Sequence, residues 1–125
     1  MLKPKAGIAA VVVFALFGMT ASVAQDSLMT PNEIKAAWVD KKVFSRSPTG
    51  GLFDFFLFSN GSAEVAGSSW HDSGTWRLSD NGYCTTWKKI RAGVERCFTV
   101  VKKGSTVVVF NPDNSVAAEV LKIVE

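Results

Sequence analysis

Both cysteines of this chain lie in the stretch YCTTWKKIRAGVERCF, which runs from Tyr83 to Phe98. Apolar and β-favouring residues flank a basic turn, a pattern typical of a β-hairpin. A disulfide between Cys84 and Cys97 would cross-link this hairpin and close a loop of about 14 residues, worth roughly 3 kcal/mol in the chain-entropy model. Two free buried thiols are the alternative.

The cysteine pairing also predicts a register for the hairpin. It places Tyr83 opposite Phe98 and Trp87 opposite Val94, all on the face opposite the disulfide. The aromatic face would belong to the core, and the disulfide would lie outside it.

The strand-and-turn pattern extends on both sides of the hairpin. Strands that recur every roughly 8–12 residues predict a mainly β protein, an antiparallel meander of about seven or eight strands. Closure into a small up-and-down barrel would remove the exposed strand edges, and an open twisted sheet is the alternative. Turn signals rich in Gly, Asn and Pro separate the predicted strands. The strands are predicted at residues 43–47, 52–59, 63–67, 74–79, 83–89, 94–102, 105–111 and 116–124.

A short helix precedes the strands. The residues from Thr30 to Glu33 form a capping-box pattern, with Pro31 at the first helical position. Ile34 and Trp38 share one face, which is too short to be stable alone in water. The helix must therefore pack over the sheet or the mouth of a barrel, with Trp38 as a core plug.

The N-terminus predicts export. Lys3 and Lys5 precede the apolar run 6–18, and small residues at Ser22 and Ala24 complete the layout of a secretory signal peptide. An uncleaved membrane anchor is the alternative, but the run is shorter than the about 20 residues that span a bilayer. We therefore expect a periplasmic or secreted protein with residues 1–24 removed, 25–41 as an N-terminal segment with the helix, and 42–125 as one β domain.

Charge is distributed unevenly. The chain carries a net charge of +3, and two lysines would leave with the signal peptide. The hairpin region 88–103 holds six cations and one acid, Glu95. The hypothesis is an anionic partner, either an envelope surface or an acidic protein, and export argues against nucleic acid. A solvated hairpin that discourages edge pairing is the alternative. The cationic residues are Lys88, Lys89, Arg91, Arg96, Lys102 and Lys103.

Catalytic chemistry is hard to assemble from these residues. His71, Asp72 and Ser73 are adjacent, whereas the members of a catalytic triad converge from separate parts of a fold. One histidine and scattered carboxylates give no metal-ligand spacing. Asp54 stands among phenylalanines and is expected to face outward. We predict no enzyme activity, no metal and no cofactor.

The Phe-rich run 52–58 is apolar on both faces, which predicts either cover by the helix on its outer side or an exposed aromatic patch. Its inner face, together with two tryptophans, suggests a ligand site in a barrel mouth. The candidate ligand-binding residues are Trp38, Phe53, Phe55 and Trp76.

The blocks 74–78, 80–87 and 95–100 resemble a family of small exported proteobacterial proteins that form a domain of unknown function. The shared pattern is Gly-x-Trp at Gly74, Cys-x-x-Trp at Cys84 and Arg-Cys-aromatic at Arg96. The resemblance covers residues 28–124 and implies the fold and the disulfide, with no catalytic or ligand residues. The Gly-x-Trp element is also similar to one in lipocalin-like barrels, where it marks an early strand.

Two functions are therefore expected to compete. The first is a non-enzymatic binding module for an unknown ligand or envelope component. The second is a protein inhibitor of a periplasmic hydrolase, similar in shape to lysozyme inhibitors.

Overall fold

The computed structural model describes residues 26–125. Within these residues, nine strands and one α-helix follow one another, and a 3-10 turn lies at Ile90–Gly93. The elements are β1 (Ser27–Leu28), α1 (Pro31–Trp38), β2 (Lys42–Arg46), β3 (Leu52–Leu57), β4 (Ser62–Ala66), β5 (His71–Ser79), β6 (Gly82–Trp87), β7 (Arg96–Lys103), β8 (Thr106–Phe110) and β9 (Val116–Val124).

Strands β2 to β9 form a closed up-and-down barrel. Each pairs antiparallel with the next strand along the chain, and β2 pairs with β9 to complete the circle. The two-residue strand β1 pairs with β7 at Lys102 and Val101, beyond the point where the β6–β7 ladder ends. The predicted closed barrel is confirmed, and the open sheet is wrong.

Strand alternation sends one set of side chains into the barrel. Phe55 of β3 lies opposite Val43 and Val65, and Val100 of β7 lies opposite Val109. All five side chains are buried. The barrel interior is therefore the hydrophobic core.

Helix α1 closes one end of the barrel. Its capping box is formed, since the Glu33 amide donates to Thr30 Oγ1 at 3.1 Å and the Thr30 amide donates to Glu33 Oε1 at 2.8 Å. Ile34 and Trp38 are almost completely buried. The Trp38 ring lies 5.6 Å from the ring of Tyr83 in an edge-on contact. Trp38 is the plug that its position in the sequence predicted.

The disulfide lies on the outside of the barrel wall, as predicted. Cys84 and Cys97 are direct cross-strand partners, with Cα atoms 3.9 Å apart. Arg77, which lies opposite Cys84 on β5, donates to both carboxylate oxygens of Glu95 at 2.9 and 3.0 Å. A Glu95 carboxylate oxygen lies within 4.8 Å of both sulfurs. This ion pair lies beside the disulfide and helps to cover the buried Cys84.

The predicted hairpin register holds only in part. Tyr83 pairs with Phe98 as expected, but the ladder ends at Thr85 and Arg96. Val94 is therefore not the partner of Trp87, and it is 63% exposed. The chain leaves the ladder because the connection between β6 and β7 is a long turn that includes left-handed backbone conformations. The residues of this segment are typical of strands, so the sequence did not indicate the turn.

The outer face of β3 is not covered by the helix. Phe56 and Phe58 are half-buried there and stack in parallel, with ring centroids 5.7 Å apart. Asp54 lies opposite Phe44 and Ala66 on this same outer side, as predicted. The expectation of helix cover is wrong because α1 lies across the barrel end.

Among residues 26–125, no helix has the length and apolar character needed to span a bilayer. The predicted signal peptide, residues 1–24, lies outside the described part of the chain.

We expect Trp38→Ala to lower the free energy of unfolding by about 3–5 kcal/mol, because it leaves a cavity in the end of the barrel. Urea denaturation followed by circular dichroism measures this loss. Trp70→Ala is the matched control, since Trp70 is 47% exposed, and it should cost about 1 kcal/mol or less. Equal losses for the two variants would contradict the role of Trp38 as a plug.

Replacing both cysteines, in Cys84→Ala/Cys97→Ala, is expected to lower the free energy of unfolding by roughly 3 kcal/mol. The same loss should appear when the wild type is unfolded with a reductant present. The double variant itself should be insensitive to the reductant. A wild type that keeps its full stability under reduction would show that the cross-link contributes little.

Candidate ligand cavity

The barrel contains a cavity that opens at the end opposite α1. Four connections surround the opening, at residues 47–51, 67–70, 88–95 and 111–115. The cavity has a volume of about 330 Å³, at the lower end of the range of roughly 300–1,000 Å³ typical of small-molecule sites. It is closed at one end by Trp38 and accessible from the other.

Aromatic rings form the floor and one wall of this cavity. Phe55 contacts Trp38, Tyr83 and Trp87, with ring centroids 6.4, 5.9 and 6.1 Å apart. Tyr83 stacks on Phe98 at 5.3 Å. Such contacts hold the rings in place, so the wall is a preformed apolar surface.

Tyr83 brings a hydroxyl group into these apolar surroundings. Burial raises the pKa of Tyr83 well above its usual range, although the nearby positive charge of Arg91 opposes this shift. The hydroxyl therefore stays protonated at any physiological pH.

Trp70 stands at the rim. Its ring lies 6.4 Å from that of Phe53, and it is 47% exposed. Gly67 permits this position, because a Cβ there would collide with the Trp70 indole. Sequence reasoning missed Trp70 as a cavity residue; the spacing of Gly67 and Trp70 across the β4–β5 turn is the signal that could have indicated it.

Two arginines supply the cationic groups of the cavity wall. Arg91 Nη2 donates to Thr85 Oγ1 at 3.1 Å, and the guanidinium carbon lies 5.5 Å from the centre of the Phe98 ring. Arg96 is more exposed and makes a long contact of 3.4 Å from Nη1 to Asn111 Oδ1. Among the described residues that line the cavity there is no Asp or Glu.

Asp72 holds the turn that carries Arg91. Its Oδ2 accepts hydrogen bonds from the amides of Lys89 and Ile90 at 2.9 and 2.8 Å, and its Oδ1 accepts from the Ser73 amide at 2.8 Å. Burial opposes the charge, but these amides outweigh it and lower the pKa of Asp72 below its usual value. Its role in the structure is to anchor the turn.

Three of the four predicted ligand residues line the cavity: Trp38, Phe53 and Phe55. The fourth, Trp76, does not. It leans over the β3–β4 turn near α1, where its Nε1 donates to the Phe58 carbonyl at 2.7 Å. A sequence shows that Trp76 belongs to the inward face of β5 but not at which height it lies, because that depends on the stagger of the strands around the barrel.

The predicted cationic patch is not one surface. Lys88 and Lys89 are exposed on the turn at the cavity mouth, while Arg91 and Arg96 line the cavity. Lys102 and Lys103 lie at the other end of β7, roughly 20 Å from Arg96 at about 3.3 Å per residue. Lys103 there approaches Asp26 at 3.9 Å. The six cations do not form one patch, because β7 runs the full height of the barrel and separates them.

The residues with catalytic potential do not converge on the cavity. His71 is exposed at the start of β5, and Asp72 is occupied by backbone amides. Within residues 26–125, the one close group of potential metal ligands is Cys84, Glu95 and Cys97. Its two sulfurs are bonded to each other in the disulfide.

Comparison of the chain with protein-family models, curated proteins and solved structures finds no match. The shape and chemistry of the cavity therefore carry the functional argument.

Asp72→Asn is expected to lower the melting temperature at pH 7, because the neutral amide is a weaker acceptor for the turn. The pKa of Asp72 is lower when folded, so its ionised form stabilises the fold above the unfolded value of about 3.9. That contribution is lost as pH falls through the folded value. Thermal unfolding from pH 7 to pH 2 should therefore show the difference between wild type and variant shrinking below pH 4.

The control is Asp54→Asn, which makes the same change on the outer face of β3. Its melting temperature at pH 7 should lie close to that of the wild type. A constant gap between wild type and Asp72→Asn down to pH 2 would contradict the assignment.

Proposed function

We propose that this protein is an exported, non-enzymatic binding module that holds a small, largely apolar molecule inside its barrel. The observation that carries the proposal is the cavity with one closed and one open end. Its volume of about 330 Å³ and its aromatic wall suit a ligand that leaves water on entry.

The shape of the cavity supports binding of a discrete molecule over a flat surface contact. Trp38 and Phe55 form a fixed floor, so a ligand that enters from the mouth meets a preformed wall. Little ordering of the protein is then needed on binding, which favours affinity. The exposed Trp70 at the rim provides a further apolar contact close to solvent.

The non-enzymatic part of the proposal rests on the lining. A reaction on a bound molecule would require a general acid, a base or a nucleophile facing it. The described lining residues include the hydroxyl groups of Ser45, Thr85 and Tyr83, but no Asp, Glu, His or Cys that could activate them. His71 is exposed at the start of β5.

Export is supported by two separate features. A disulfide between Cys84 and Cys97 is compatible with an oxidising compartment such as the periplasm or the extracellular space. The predicted signal peptide at residues 1–24 is consistent with the same location. We propose a periplasmic or secreted protein.

Native mass spectrometry of the protein purified from its own compartment separates the two candidate functions. A co-purifying small molecule supports the binding module. A protein partner at fixed stoichiometry, with an empty barrel, would support the hydrolase inhibitor instead.

A cavity-filling variant provides the direct test. Ala118 is buried on the cavity wall opposite Val109, so Ala118→Phe should reduce binding of a neutral apolar fluorophore, N-phenyl-1-naphthylamine, by at least about tenfold. The larger side chain is expected to change the free energy of unfolding by no more than about 1–3 kcal/mol.

The matched control is Ala66→Phe, which adds the same ring to the outer face of β4 opposite Asp54. Fluorophore titration should show wild-type affinity for this control. If both variants bind as the wild type does, the fluorophore is not in the barrel and the proposed site is wrong.

A further inference from the structure

Arg91 is placed in the cavity by its backbone. The turn between β6 and β7 has left-handed conformations at Arg91, Ala92 and Gly93, with φ values of 56°, 53° and 79°. Such values are uncommon for residues other than glycine. This turn, held by Asp72, directs the Arg91 side chain over Phe98 and toward Thr85.

The guanidinium of Arg91 is incompletely satisfied by the protein. It carries five N–H donors, and one of its nitrogens, Nη2, bonds to Thr85. Its Nε is buried and has no hydrogen-bond partner among the described residues. Within residues 26–125, the ion pairs at 4.0 Å or less involve Arg46, Arg77 and Lys103.

A partly buried cation without a counter-charge is costly. Arg96 adds a second positive charge nearby, and burial together with Arg96 lowers the pKa of Arg91. On the outer wall, by contrast, Arg77 has a carboxylate partner that accepts two of its hydrogen bonds. The positive charge inside the mouth is therefore balanced by nothing in the described lining.

We propose that the ligand is an amphiphile whose apolar body lies against Trp38 and Phe55 and whose anionic group accepts hydrogen bonds from Arg91. This inference rests on the proposed function and names the class of its ligand. A carboxylate or a phosphate would serve as this anionic group, since each accepts paired hydrogen bonds from one guanidinium. Arg96, at the rim, adds a second and more solvated positive charge.

The size of the cavity limits the apolar body. A volume of about 330 Å³ equals that of about eleven water molecules at about 30 Å³ each. Chains of about ten carbon atoms are therefore suitable probes.

The test measures displacement of N-phenyl-1-naphthylamine at pH 7 by decanoate, decyl phosphate and 1-decanol, all below their micellar concentrations. We expect at least one of the two anions to bind the wild type ten or more times as tightly as decanol. Arg91→Gln should remove this preference, because it should weaken binding of the preferred anion at least tenfold more than binding of decanol. Which anion binds better distinguishes a carboxylate from a phosphate ligand.

Lys88→Gln is the matched control. It removes the same charge from the same turn, but its side chain is exposed outside the cavity, so the anion preference should persist. Thermal unfolding of Arg91→Gln should show a melting temperature equal to or above that of the wild type, because an unbalanced charge is removed. Arg91→Lys should keep part of the preference as a point charge.

The two proposals fail in different ways. Equal binding of the anions and decanol by the wild type, or an anion preference that survives Arg91→Gln, would overturn the inference about Arg91 while the apolar site stands. If neither the fluorophore nor any decyl compound binds, the proposed function is wrong and the inference falls with it.

Discussion

The pairing of β2 with β9 is the constraint on which the rest of the structure depends. It joins the first and last strands of the meander, so the sheet has an inside and every strand contributes alternate side chains to it. Without this ladder Phe55 and Val43 would lie on one face of an open sheet. Closure converts a set of apolar faces into a core with a cavity.

Helix α1 makes the two ends of the barrel different, because it covers one of them. Because Trp38 occupies one end of this cavity, the cavity opens to solvent among the loops at the other end. Three features shape that open end. Gly67 lets Trp70 lie across the rim, and Asp72 holds the β6–β7 turn. The left-handed backbone at Arg91 directs its cationic side chain inward. The disulfide fixes the strands from which this turn departs.

Local patterns explain which expectations succeeded. The capping box at Thr30, the strand periodicity and the cysteine pairing all depend on residues close in sequence or on alternation along one strand, and each is present in the structure. Trp76 and Val94 were misplaced for another reason. The height of a residue in a barrel depends on strand stagger, and the point where a hairpin ladder ends depends on the turn, and neither leaves a simple periodic signal.

The amino-acid sequence by itself determined a mainly β chain, a capped helix with Trp38 on its buried face, and a cross-strand disulfide. These follow from short-range preferences and from the two-residue period of strands. Only the tertiary structure decided that Arg91 belongs to the interior and that Lys102 and Lys103 lie far from it. Cations that are close in sequence lie at opposite ends of the barrel, because the eight residues of β7 span its full height.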